Sequence, residues 1–243
     1  MVEPQPSALV TGGSRGIGRA IALELARSGY FVLINYLAND AAAEATLAAV
    51  RAVGGDGALA RFDVADREAA TAALDALLAT HGPVEVLVNN AGIARDGLFL
   101  MLLPEEWDSV IATTLHGFFN VTRPVMKQMV GRRRGVVVNV ASVSGQLGNR
   151  GQCNYSAAKA GLIAATHALA LEVARFGIRV NAVAPGLVQT EMIKDVRLDV
   201  ALKMVPMQRV AQPEEVARVV RFLCSDDASY MTGQLVAVNG GMV

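Results

Sequence analysis

Short runs of Val, Leu and Ile alternate with helix-patterned stretches along almost the whole chain, and that alternation leaves few folds open. Strand-like runs are expected at Ala8 to Thr11, Tyr30 to Asn35, Gly57 to Phe62, Val84 to Val88, Val136 to Val140, Ile178 to Val183 and Gln234 to Val238. The first helix is expected from about Ile17 to Arg27, and an alanine-rich second one is N-capped by Asp40 and ends before Gly54-Gly55. Asp66 caps a third that stops near Thr80, ahead of His81-Gly82-Pro83. Further helices are expected from Glu105 to Met129, from Asn154 to Phe176 and from Pro213 to Cys224. Nearly continuous apolar strands linked through helices imply a parallel sheet covered on both faces. The expected class is therefore α/β, a doubly wound parallel sheet of about seven strands. No linker or composition shift interrupts it, so one domain is expected over residues 1–243.

Composition removes several functions. Hydrophobic residues make up 53% and charged residues 18%, ample for a buried core. The 22 basic and 22 acidic residues cancel, which argues against nucleic-acid or membrane-surface binding through bulk charge. Cys153 and Cys224 offer neither a disulfide framework nor metal-ligand spacing, so no metal is expected and a reducing compartment suits them. The segment Met1 to Pro6 has no apolar core of a signal peptide, and no apolar run reaches spanning length without a charge or a glycine. A soluble, cytoplasmic protein is expected.

In an open parallel sheet, ligands bind beyond the carboxyl ends of the strands. The first strand ends in Thr11-Gly12-Gly13-Ser14-Arg15-Gly16-Ile17-Gly18, where glycines let the backbone approach a pyrophosphate that the next helix N-terminus attracts. The spacing is G-x-x-x-G-x-G rather than G-x-G-x-x-G. The second strand ends at Asn35-Tyr36 with no carboxylate to hold a free ribose 2′-hydroxyl, and Arg15 could pair with a 2′-phosphate, although it could equally be solvated. Both features lean toward NADPH over NADH. Later strand ends carry Asp63-Val64, Asn89-Asn90-Ala91-Gly92, Ala141-Ser142 and Pro185-Gly186 with Thr190 beyond. Asp63 could be only a turn former. Tyr155 and Lys159 open a helix at i and i+4, so phenol and ammonium share a face. A neighbouring cation should pull the phenol's pKa down from its ordinary value near 10 toward the working range.

Together these motifs resemble the short-chain dehydrogenases/reductases over essentially the whole chain, from Thr11-Gly12-x-x-x-Gly16-Ile17-Gly18 through Tyr155-x-x-x-Lys159 to Val238-Asn239-Gly240-Gly241. Within that family the chain is most similar to the 3-oxoacyl-[acyl-carrier-protein] reductases. The resemblance implies a Rossmann-like fold, with Tyr155 as proton donor to a carbonyl oxygen and Ser142 orienting that oxygen. Lys159 would hold the nicotinamide ribose and lower the tyrosine's pKa. It implies cofactor contacts from Gly12, Ser14, Arg15, Gly16, Ile17 and Gly18, with Asn35 at the end of the second strand. Asp63 and Val64 would meet the adenine, Asn90, Ala91 and Gly92 the ribose side. Val188 and Thr190, beside Pro185 and Gly186, would meet the nicotinamide amide. One position departs from the family. Where an asparagine usually supports a water relay to the lysine, the run Thr113-Thr114-Leu115-His116-Gly117 places Thr114. Its carbonyl could keep the relay, and its hydroxyl, bonding back to the preceding turn, could bend the helix. His116 reads as packed or solvent-facing.

Met192, Ile193, Val196, Leu198, Leu202, Met204 and Met207 suit either a mobile cover over an acyl chain or a helix packed on the domain. Arg132-Arg133-Arg134 is either a solvated helix end or, with Arg175, a docking patch for an acidic acyl carrier protein. The resemblance also implies a homotetramer joined through the two long helices and the last strand. The leading expectation is NADPH-dependent reduction of a carrier-bound 3-oxoacyl thioester. Alternatives are a short-chain oxidoreductase of a free ketone, sugar or other small alcohol, and a non-catalytic dinucleotide sensor.

Overall fold

The computed structural model describes residues 5–194 and 197–243, so Met1 to Pro4 of the N-terminal segment and Val196 of the apolar run lie outside the described residues. Seven parallel strands form one sheet: β1 (Ser7–Val10), β2 (Phe31–Tyr36), β3 (Asp56–Arg61), β4 (Val84–Asn89), β5 (Gly135–Val140), β6 (Ile178–Pro185) and β7 (Leu235–Val238). Their order is β3-β2-β1-β4-β5-β6-β7, so the chain reverses direction of build between β1 and β4. Helices fill the crossovers: α1 (Gly16–Arg27), α2 (Asp40–Ala52), α3 (Arg67–His81), α4 (Pro104–Ile111), α5 (Gly117–Arg132), the short α6 (Ser144–Leu147), α7 (Cys153–Val173), the short α8 (Leu198–Ala201) and α9 (Pro213–Cys224). The doubly wound parallel sheet expected from the sequence is the observed fold.

Side-chain alternation along the strands divides the core in two. Ala8 and Val10 face α1 and α9, packing against Ile21, Leu25, Val216, Val220 and Leu223. Leu9, Leu33 and Leu87 face the other way, against Leu74 of α3, Val121 and Val125 of α5 and Ala170 of α7. Each fully buried leucine among these contributes about 2 kcal/mol of apolar burial. A polar chain crosses the second core: Asn89 donates to Thr122 at 2.9 Å and to Asn139 at 2.8 Å, and Asn139 donates to Thr166 at 2.8 Å. These buried amides are satisfied by one another and fix β4, β5, α5 and α7 in one relative setting.

Two expectations are revised. The cap of α2 is Asn39, whose side chain accepts from the Ala42 amide at 2.9 Å, with Asp40 already helical. The stretch expected as one helix from Glu105 to Met129 is α4 and α5 joined by a π turn at Ala112–His116. That turn brings α5 onto the end of β3, where Gly117 passes Val64 so closely that a β-carbon there would lie 2.8 Å from the valine side chain. Asn120 then donates to the Val64 and Ala65 carbonyls at 3.0 and 3.2 Å. Residues 153–176 are long and apolar enough to cross a membrane by length and composition, but, as expected of every such run here, they carry a charge and a glycine, Lys159 and Gly161. In the fold they lie along the sheet, with Tyr155, Ala158, Lys159, Leu162, Thr166, Ala170 and Val173 turned inward.

Candidate active site

Strand register brings the expected residues to one rim. Val10 pairs with both Ile34 and Val88, so the glycine loop after β1 stands level with the ends of β2 and β4. Val88 pairs with Val138, and Val140 with Val183, which carries the same level across to Ser142 and Pro185. Beyond the rim opens a cleft of about 1230 Å³. It is lined by Gly12, Ser14, Arg15, Gly16, Ile17, Gly18, Asn35, Asp63, Val64, Asn90, Ala91, Gly92, Ser142, Tyr155, Lys159, Pro185, Gly186, Val188 and Thr190. Of the expected catalytic and cofactor positions, only Thr114 stands behind the wall, which Ala112 and Thr113 line.

The glycine loop is shaped by its neighbours. Thr11 Oγ1 accepts from the amides of Asn90 and Ala91 at 2.9 and 3.0 Å, while Asn90 Nδ2 donates to the Thr11 and Gly12 carbonyls at 2.9 and 3.1 Å. Gly12 and Gly16 hold φ of 60° and 54°, the left-handed region that side chains disfavour. A β-carbon on Gly18 would lie 2.2 Å from the Gly12 carbonyl oxygen, so only glycine allows α1 to start this close to the loop. No side chain caps α1 at Arg15, which leaves its first amides directed toward the cleft. A long groove, a tight glycine turn and an open helix N-terminus fit the diphosphate of a dinucleotide.

Two expected cofactor residues have structural work as well. Asn35 is buried; its Oδ1 accepts from the Gly12 amide at 3.2 Å and its Nδ2 donates to the Ala60 and Phe62 carbonyls. Its amide thus braces the loop and touches the cleft only as wall. Asp63 accepts from the Ala65 amide at 2.8 Å, so the turn-former role is realised, with its second oxygen left over. Gly186 sits against Asn239, and Asn239 Oδ1 accepts from the Gly241 and Met242 amides, which explains the glycine pair near the C-terminus.

At the floor lie Ser142, Tyr155 and Lys159, 9%, 9% and 3% exposed. Lys159 donates to the Val140 carbonyl at 2.7 Å and stands 5.6 Å from the centroid of the Tyr155 ring. Burial lowers the lysine's pKa from 10.5 to about 8. Burial also raises the tyrosine's pKa, against a lowering from its hydrogen bond with Ser142 and a further rise from the Asp96 carboxylate. The expected lowering by Lys159 is therefore not what this arrangement produces. Desolvation outweighs the favourable bond from Ser142, and the phenol stays a proton carrier at neutral pH. Thr114 is buried, and its Oγ1 has no hydrogen-bond partner among the described residues. The bend expected from its hydroxyl comes instead from the π turn.

Sequence reasoning missed Asp96 of the cleft wall and Gln152, which holds it. Gln152 donates to both Asp96 oxygens at 3.1 Å and accepts from Ser144 at 3.0 Å, tying the loop after β4 to the start of α7. The one available signal was a charged pair, Arg95-Asp96, two residues beyond Asn89-Asn90-Ala91-Gly92. Away from the cleft, Arg175 does meet the arginine run. Arg133 and Arg175 both stack on Phe176, at 5.8 and 4.8 Å, and Arg133 donates to the Arg175 carbonyl. Arg132 and Arg134 pair with Glu85 at 2.8 and 3.1 Å.

Comparison with known proteins agrees with this geometry. A family model described as Enoyl-(Acyl carrier protein) reductase matches residues 12–243. The 3-oxoacyl-[acyl-carrier-protein] reductase FabG of Aggregatibacter actinomycetemcomitans is 48% identical over 236 residues, covering 96% of this chain and 98% of the relative. The FabG of Staphylococcus aureus is 45% identical over 239 residues, 97% of each chain. The 3-oxoacyl-[acyl-carrier-protein] reductase of Synechocystis sp. is 45% identical over 237 residues, 97% of this chain and 96% of the relative. Likeness at this level over nearly full length, on a rim that gathers the glycine loop, Ser142, Tyr155 and Lys159, places the chain in the short-chain dehydrogenase/reductase family.

Proposed function

We propose that this chain reduces the ketone of a 3-oxoacyl thioester on acyl carrier protein to the 3-hydroxyacyl thioester, in fatty-acid or related acyl-chain biosynthesis. The observation that carries the reading is the meeting of Ser142, Tyr155 and Lys159 at the floor of a cleft whose other end is the Gly12 to Gly18 loop. A nicotinamide dinucleotide, the cofactor of the family, supplies the hydride to the carbonyl carbon when bound. The chain supplies the rest. The Ser142 hydroxyl donates to the carbonyl oxygen and fixes its direction. Tyr155 gives that oxygen its phenolic proton, leaving a hydroxyl on the product and a phenolate on the enzyme. Lys159, mostly protonated at neutral pH, is the cation that steadies the phenolate and holds the nicotinamide ribose. Thr114 keeps the relay position through its backbone carbonyl.

Residues 1–243 act as one domain in this reading. Asp63 and Val64 meet the adenine, Asn90, Ala91 and Gly92 the ribose side, and Val188 and Thr190 the nicotinamide amide. NADPH is the favoured nucleotide. Arg15 lines the cleft, and the first carboxylate after β2, Asp40, is turned to Tyr36 at 2.8 Å and Arg61 at 3.5 Å. Acyl carrier protein docks at Arg133 and Arg175, whose guanidinium groups stack on Phe176 without a carboxylate partner among the described residues. The enzyme works as a homotetramer in the cytoplasm, where Cys153 and Cys224 remain free thiols.

The test is direct. Purified protein is mixed with NADPH or NADH and with acetoacetyl, crotonyl or free-ketone substrates while nicotinamide absorbance is followed. Turnover of the acetoacetyl thioester with NADPH is expected. Turnover confined to the crotonyl thioester, or nucleotide binding with no oxidation on any carbonyl, would sink the reading.

A further inference from the structure

Arg15, the side chain assigned to the 2′-phosphate, already has a partner. Its Nη1 lies 2.7 Å from Glu191 Oε2, and the pair joins the glycine loop to the segment that follows β6. The two segments are close here, since a β-carbon on Gly16 would stand 3.3 Å from the Thr190 side chain. Both charged groups are at the outer lip of the cleft, 66% and 59% exposed, so a dinucleotide can lie beneath the pair without breaking it. A 2′-phosphate at the adenosine end, beside Leu37, Ala38 and Asn39 of the same cleft wall, offers that guanidinium a second anion to pair with.

We infer that Glu191 is a specificity-determining residue that competes with the 2′-phosphate of NADPH for Arg15. The inference rests on the reading of Arg15 as the 2′-phosphate ligand. NADH, with a hydroxyl there, leaves the ion pair closed. NADPH exchanges a carboxylate for a phosphate, and the phosphate, carrying more charge and more acceptor oxygens, takes the arginine. The displaced carboxylate is not stranded: Lys194 Nζ lies 3.6 Å from Glu191 Oε1 and takes over as its cation. Glu191 opens the short 3₁₀ turn Glu191–Ile193, whose Met192 and Ile193 line the same cleft.

Calorimetric titration with NADPH, NADH and 2′,5′-ADP at low ionic strength tests this on the wild type, Glu191→Gln, Arg15→Ala and the double variant. An exposed ion pair is weak, so Glu191→Gln is expected to tighten NADPH and 2′,5′-ADP by about threefold and to leave NADH unchanged. In the Arg15→Ala background the same change is expected to do nothing. Equal tightening of NADPH and NADH, no change in either, or an effect that persists without Arg15 would overturn the competition. An unaltered NADPH-to-NADH ratio in Arg15→Ala would remove the cofactor assignment, and the competition with it, while leaving the carbonyl chemistry to the turnover assay.

Discussion

Lys159 is a cation held where water is scarce, and its charge works against the fold. Its pKa falls from 10.5 unfolded to about 8 folded, so between those values the unfolded chain binds the extra proton. Stability therefore rises with pH across that window, and below about pH 8 the full penalty applies, about 3 kcal/mol. Lys159→Met should be inactive yet more stable than the wild type in urea at pH 7, with the advantage fading toward pH 10.5. A variant less stable at pH 7 would contradict the sign. At Thr114 the hydroxyl has no partner among the described residues, which under the proposed relay leaves the role to the carbonyl. Thr114→Asn should change turnover by less than about threefold, within the range of a modest proton-transfer effect; a large gain would show that the relay is impaired in the native chain. That Ser142, Tyr155 and Lys159 would share one rim was legible in the sequence, from a strand end and from the i, i+4 spacing that opens a helix. The direction of the tyrosine's pKa was not, because it depends on burial that spacing along a helix does not reveal.

Among the elements, the turn from β1 into α1 is the least forgiving. A β-carbon on Gly18 meets the Gly12 carbonyl at 2.2 Å and Asn90 Nδ2 at 2.5 Å, so it would push the helix start off the loop. Gly18→Ala is expected to weaken dinucleotide binding by at least about tenfold, read by calorimetry, with little loss of helix content. Element type was largely readable, since apolar strand runs and the Asp66 cap are local signals; Asp66 accepts from Glu68 and Ala69 as expected. The π turn at Ala112–His116 was not readable. Nothing in Ala-Thr-Thr-Leu-His departs from helical periodicity, and the extra residue is accommodated by packing against Val64 and α7. The short helices α6 and α8 were missed for a related reason, being too brief for a period to show.

On the scale of the whole molecule, two surfaces remain to be covered. Arg133→Glu should raise KM for carrier-bound substrate several-fold more than for a small thioester mimic, as expected of a rim charge that steers docking; equal effects would refute docking there. Leu171 on α7 is 85% exposed beside an apolar cleft lined by Met126, Val130 and Leu169. Leu171→Asp should convert a tetramer into smaller species by light scattering, and an unchanged mass would place the interface elsewhere. The strand order carries a last consequence, which concerns time. The nucleotide loop belongs to the first eighteen residues of the chain, yet its shape depends on Thr11 and Gly12 being bonded to Asn90 and Ala91, 78 to 80 positions later. During synthesis the loop stays unformed until β4 has emerged and inserted beside β1. A nascent chain thus acquires its affinity for nucleotide late, in one step with closure of the middle of the sheet, and nucleotide cannot assist any earlier stage of its folding.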